Sequence, residues 1–233
     1  MDRIKRILKG LSGFRRSPKK WIITGCLGAI LIALSLYSYH VNHRQGIPYT
    51  EILDEVALSL GDTQRTFREV AFYVAYEEAE VDKQAVVYNP EKPEKYWNLH
   101  VDGIFIRIAA RNAAAQMALH DEYFYQMAME EGITLNEDEQ KSLADYQEDF
   151  WNDLTDDGKA EKLGVTKEEI NATMERMMYA QKMQLIYANL QGVEYEDYDF
   201  SEEAYENLIK KSSGKINENL WKKLAFGSIT LSY

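Results

Sequence analysis

Apolar positions along this chain follow two patterns: one unbroken run, and elsewhere a recurrence every three or four residues. The unbroken run is WIITGCLGAILIALSLYSY, residues 21–39, nineteen positions without a charge. At about 1.5 Å rise per residue it makes a helix of about 30 Å, the hydrocarbon thickness of a bilayer. Trp21 at one end, with Tyr37 and Tyr39 at the other, suits the two interfaces. After a linker at 40–50 the helical spacing takes over. Thr50 is placed to cap a helix to about residue 60, and Gly61-Asp62-Thr63 reads as a turn. From about 65 to 87, Phe67, Val70, Ala71, Val74, Ala75 and Ala79 form one stripe, which Pro90 and Pro93 end. A further helix is expected from about Pro93, with Ile106, Ala110, Ala113, Met117, Phe124 and Ala128 on one face. Gly103 leaves an alternative at 101–106, a short extended segment around an Asp-Gly turn.

The helix boundaries downstream share a punctuation. EEGITLNEDE at 130–139 and KLGVTKEE at 162–169 both place Gly, an apolar residue and Thr before acidic residues. Gly132 suits the left-handed position past a helix end. Thr134 with Glu137 has capping-box spacing, Asn136 is a rival cap, and Thr166 with Glu169 repeats the box. The first following helix buries Leu143, Phe150, Leu154 and part of Trp151. The second carries Ile170, Met174, Met177, Gln181, Leu185 and Ala188 on one stripe. Ser201 is expected to cap a short helix to about 211, and Ile229, Thr230, Leu231 and Tyr233 predict a short C-terminal strand.

Charge gives the chain a direction. Residues 1–20 hold eight Lys or Arg against Asp2, a net +7, so 41–233 carry −18 of the total −11. The basic flank predicts residues 1–20 in the cytoplasm and 40–233 outside. The apolar run exceeds a cleaved signal peptide's usual 7–15 residues. ITGC at 23–26 looks like a lipidation box, but only a few residues separate Lys20 from it and the run continues past Cys26. Cys26 is the sole cysteine, so the body is expected to rely on packing without disulfides. An acidic body repels phosphates, which argues against nucleic acid.

Little chemistry is written in the residues. The histidines are His40, His43, His100 and His120. His120, beside Asp121 and Glu122 on a buried stripe, reads as a hydrogen-bonded structural histidine. The sequence has no paired Glu-x-x-His for a di-metal bundle, no zinc spacing, no phosphate loop and no nucleophile elbow. Neither a catalytic residue nor a metal or cofactor is assigned. Methionine is more suggestive. Beyond Met1, all seven lie at 117–129 and 174–183, where thioethers serve either an irregular core or a groove for varied apolar clients. Core is the favoured use. If a groove exists, Met174, Met177 and Met178 are its candidate client-binding residues.

MAMEEGITLNEDEQKSL, then Phe150-x3-Leu154, then EKLGVTKEEINATMERMMYAQKM resembles the N-terminal helical module of the SurA and PrsA foldases. FSEEAYENLIKKSSGKI is similar to the segment leading such proteins into their isomerase domain, so the likeness covers about residues 100–215. It implies an extracytoplasmic chaperone that cradles unfolded secreted polypeptides. Only seventeen residues follow Ile216, too few for a parvulin domain, so a holding module without isomerase activity is expected. PrsA proteins are lipidated, whereas this chain carries a predicted membrane helix.

The expectation is therefore a mainly α protein. Residues 1–20 form a basic cytoplasmic tail and 21–39 a transmembrane helix; 40–92 form a linker with membrane-proximal helices, and 93–233 a SurA/PrsA-like domain. Its partners would be unfolded or secreted polypeptides, or one dedicated membrane protein for which it serves as an accessory subunit.

Overall fold

The computed structural model describes residues 46–156 and 158–233. The basic tail, the apolar run at 21–39, Cys26, His40 and His43 lie outside the described residues. Among those described, no helix is long and apolar enough to cross a membrane.

The first elements depart from the expected helix. Tyr49–Glu51 is a single 3-10 turn, and β1 (Val56–Leu60) and β2 (Thr63–Thr66) form an antiparallel hairpin about Gly61. Leu58, Ser59 and Leu60 pair in one register with Arg65, Gln64 and Thr63, and the register slips between Val56 and Leu58, leaving Ala57 in a bulge. The predicted helix at 65–87 begins later. A 3-10 turn at Arg68–Val70 leads into α1 (Ala71–Tyr88), whose stripe is buried as expected at Val74 and Ala75. The stretch from Pro93 is also not one helix. A 3-10 segment (Pro93–Asn98) precedes β3 (His100–Val101) and β4 (Ile104–Phe105), paired across Asp102-Gly103, both at positive φ. The extended alternative is the structure adopted, because Asp-Gly tolerates the left-handed turn a two-residue hairpin requires.

The helical body follows. α2 (Ile106–Glu130) and α5 (Lys167–Gln191) are the long pair; α3 (Glu137–Asp156) and α4 (Lys159–Leu163) stand between them in the chain. Ala110, Ala114, Ala115 and Ala118 are buried on α2, small enough for neighbouring helices to approach closely. α3 runs antiparallel to α5, since Glu139 pairs with Lys182 at 2.6 Å while Glu148 pairs with Lys167 at their opposite ends. Gly132 has φ +65°, as its helix-end role requires. Thr166 and Glu169 form the full capping box. At the earlier joint the rival cap wins. Asn136 Oδ1 accepts from the Glu139 amide at 2.9 Å and Glu139 Oε2 from the Asn136 amide at 2.7 Å, displacing the box drawn at Thr134 and Glu137.

The C-terminal third closes the fold. A 3-10 turn (Tyr195–Tyr198), α6 (Glu203–Ile209), β5 (Lys215–Ile216) and α7 (Glu218–Trp221) follow. α6 is capped at Glu202, without a side-chain bond, rather than at Ser201. β5 joins the free side of β1, giving a three-stranded sheet in the order β2-β1-β5. The strand expected at 229–233 does not form. Its backbone finds a side chain instead: the fully buried Glu78 carboxylate accepts from the amides of Gly227 (2.6 Å), Ile229 (3.1 Å) and Thr230 (2.7 Å) and from the Thr230 hydroxyl (2.6 Å). One main core unites Leu58, Phe67, Phe72, Trp97, Ile170 and Trp221 from both sides of residue 92. A smaller cluster gathers Phe124, Ala128, Ala180, Met183 and Tyr205.

Candidate functional site

The methionines locate the core. Met174 and Met177 are buried in the main cluster, Met178 packs against it half-buried, and Met183 belongs to the smaller one. Met174, Met177 and Met178 are thus brought together as packing atoms on the inner face of α5, not as the lining of an open groove.

His120 sits in a closed polar junction where the hairpin, α1, α2 and α5 meet. Arg65 reaches Glu122 through Nε (2.8 Å) and Nη2 (3.3 Å), and Glu69 through Nη1 (2.9 Å). Gln126 Nε2 donates to Glu122 at 2.8 Å. Arg176 donates to the Glu69 carbonyl at 2.8 Å and to Thr173 Oγ1 at 3.0 Å. The Tyr73 hydroxyl donates to Asp121 Oδ2 at 2.9 Å; the other Asp121 oxygen lies 2.8 Å from His120 Nδ1, and His120 Nε2 is 3.0 Å from the Tyr198 carbonyl. Burial opposes the Arg65 charge, but the Glu122 and Glu69 carboxylates outweigh it and hold its pKa up. Burial, aided by Asp121, pushes the Tyr73 phenol well above its usual range. A void of about 10 Å³ remains between these groups, room for about one water and for no substrate. The histidine is buried with a partner at each ring nitrogen, as its position beside Asp121 suggests.

The open site lies elsewhere on α2. Ile108, Arg111, Asn112, Ala115 and Gln116 recur at helical spacing, so they share one face. Opposite stand Ile216 of β5 and Glu218, Trp221 and Lys222 of α7 and its C-terminal end; together they enclose a cleft of about 360 Å³. The bulge in β1 fixes its far wall. The Ala57 carbonyl accepts from the Asn217 amide (2.9 Å) and from the Trp221 indole (3.1 Å), and the Val56 carbonyl accepts from Asn217 Nδ2 (2.8 Å). With its N–H spent on the sheet and its ring against Phe67, Trp221 is buried and forms the cleft's floor.

Charge in the cleft is unbalanced. Lys222 holds Glu218 at 2.6 Å and draws its carboxyl below the usual range. Arg111 is half-buried and makes no ion pair among the described residues. Burial lowers its pKa, Glu218 partly restores it, and neighbouring Arg107 lowers it again. It remains a guanidinium, since arginine does not deprotonate in proteins. Sequence reasoning did not single out this face. The spacing of residues 108–116 was visible, but nothing local tells that residues 216–222 return to cover it.

Among the described residues, no group of three or more His, Cys, Asp or Glu could hold a metal ion. Comparison with protein-family models, curated proteins and solved structures finds no match.

Proposed function

We propose that this chain is a membrane-anchored, extracytoplasmic docking protein that holds a segment of one dedicated polypeptide partner and catalyses nothing. The anchor and its direction rest on the apolar run at 21–39 and the +7 tail before it. The preference for polypeptides rests on the resemblance of residues 100–215 to foldase holding modules. One observation favours a dedicated partner over varied clients: the cleft at α2 and α7 is small, about 360 Å³, while the methionines that would line a broad groove are packed in the core. A cleft of this size takes one or two side chains, which selects a sequence.

The broader chaperone reading draws on exposed apolar residues, notably Val87 at 84% and Leu190 at 74%, at the ends of α1 and α5. A photoreactive residue replacing exposed Gln116 separates the two in the native membrane. One partner crosslinked in stoichiometric yield is the expected result. A broad spread of captured polypeptides, together with suppressed aggregation of a denatured model protein, would replace it with the chaperone reading.

A further inference from the structure

The cleft's charge specifies more than its size does. We infer that it takes an acidic peptide segment, with a carboxylate seated on Arg111 and an adjoining apolar side chain laid against Ile108 and Ile216; this rests on the docking function proposed above.

The described arginines make the case by contrast. Arg65 and Arg68 each bond to two carboxylates, and Arg176 donates to the Glu69 carbonyl and the Thr173 hydroxyl. Arg111 is also drawn out of water, yet makes no such bond among the described residues. A guanidinium presents five donors in a rigid fork that matches a carboxylate, and leaving it half-desolvated and unmet carries a cost that a bound anion removes. Glu218 acts on Arg111 through charge alone, while its ion pair goes to Lys222. The cleft therefore presents two cations against one carboxylate, on a body whose net charge is strongly negative.

The apolar part is equally defined. Half-buried Ile108 and Ile216 line the cleft beside Arg111 over a floor of buried Ala115 and Trp221, and Asn112 and Gln116 stand exposed at the rim, free to bond a peptide backbone. Charge sorts the possible occupants. The chain's own residues 1–20 carry +7 and would be repelled by Arg111. A second copy would bring one acidic body against another. Nucleic acid brings a run of phosphates against the same acidic surface. A short segment with one carboxylate and flanking apolar residues meets the cation without incurring the wider repulsion.

The probe is a dye-labelled, end-blocked Gly-Leu-Glu-Leu-Gly peptide and its Gln counterpart, titrated by fluorescence anisotropy against the full-length chain in detergent. The Glu peptide is expected to bind about tenfold more tightly than the Gln peptide, and raising salt from about 50 to about 500 mM should shrink that advantage. Arg111→Gln should abolish the preference, Arg111→Lys should restore part of it, and Glu218→Gln should tighten the Glu peptide about twofold to fivefold by removing a competing carboxylate. Circular dichroism confirms that each variant is folded. Equal binding of the two peptides, a preference that survives Arg111→Gln, or no saturation of either below about 1 mM would each overturn the carboxylate subsite. Partner capture through position 116 reads the docking function separately. Capture that persists when the peptide preference fails sinks only the acidic specificity, and loss of capture sinks the docking function itself.

Discussion

The polar junction and the cleft are both built on α2, one from Asp121 and Glu122 and the other from Arg111 and Asn112, yet they treat charge in opposite ways. At the junction Arg65 has two carboxylates, Glu122 has Arg65 and Gln126, and Asp121 has Tyr73 and His120. In the cleft Arg111 has no such bond among the described residues. A buried charge that is fully met from within says little about function, because its energy is already committed to holding elements together. A half-buried charge that bonds no described carboxylate, at an open cleft, is different, since a ligand gains what the described fold leaves unused. Without this distinction the junction, which is richer in ionisable groups, would be taken for the functional site.

The largest expected effect tests the closed side. Glu122→Ala leaves Arg65 half-compensated and Gln126 with only a 3.5 Å bond to the Leu60 carbonyl, and should cost about 3 kcal/mol in urea unfolding. A loss under about 1 kcal/mol would mean the junction is not a closed structural unit, and the comparison breaks. Next, Glu78→Gln keeps the shape of the latch on residues 227–230 but replaces a charged acceptor. About 2 kcal/mol should be lost, with faster hydrogen exchange at the Ile229 and Thr230 amides. Burial pushes the Glu78 carboxyl up while its four donors pull it down. If exchange there does not change, the latch is not what holds this segment.

A third effect depends on pH. Burial, with Glu80 adding, raises the Glu77 carboxyl from 4.5 to about 7. Between those values the folded chain keeps a proton that the unfolded chain has released. Stability is therefore highest in acid and falls as pH climbs through about 7. Glu77→Gln should match the parent near pH 4 and exceed it near pH 8 by about 1 kcal/mol, a figure reduced for the group's partial exposure. Parallel stability curves for the two proteins would show that solvent screens Glu77 fully. The smallest effect sharpens the open side: Arg111→Gln should change stability by under about 0.5 kcal/mol, because no ion pair among the described residues is lost. A large destabilisation would put Arg111 with the junction residues.

The helices that sequence reasoning placed well are those whose ends are decided locally. Thr166 and Glu169 close a box across three residues, and Gly132 turns a chain end that needs positive φ. At the earlier joint the sequence offered two caps, and the structure takes the second: Asn136 accepts from the Glu139 amide, two residues past the box at Thr134 and Glu137. The hairpin at 56–66 was hidden because β1 is buried at Ala57, Leu58 and Leu60, on both faces, which erases the alternation that marks a half-buried strand. Residues 229–233 have strand composition, but their backbone is met by a carboxylate about 150 positions away, and no local pattern encodes that. The cleft was illegible for a related reason. One wall, 108–116, is a readable helix face, but the other depends on a bulge at Ala57 that aims a carbonyl at Trp221.

The sheet also sets a timetable for synthesis. β1 has its first neighbour, β2, as soon as a few more residues are made, but its other edge is met only by β5, and Asn217 reaches Val56 across 161 residues. A ribosome adding about 5–20 residues per second would leave that edge open for on the order of ten seconds. For that interval the nascent chain carries an unpaired strand, a template for wrong pairing with other chains. Joining so distant a segment also spends loop entropy late, which slows the final step. Nascent chains halted just before Lys215 should therefore aggregate and be cut by protease, whereas those released just past Thr230 should resist both.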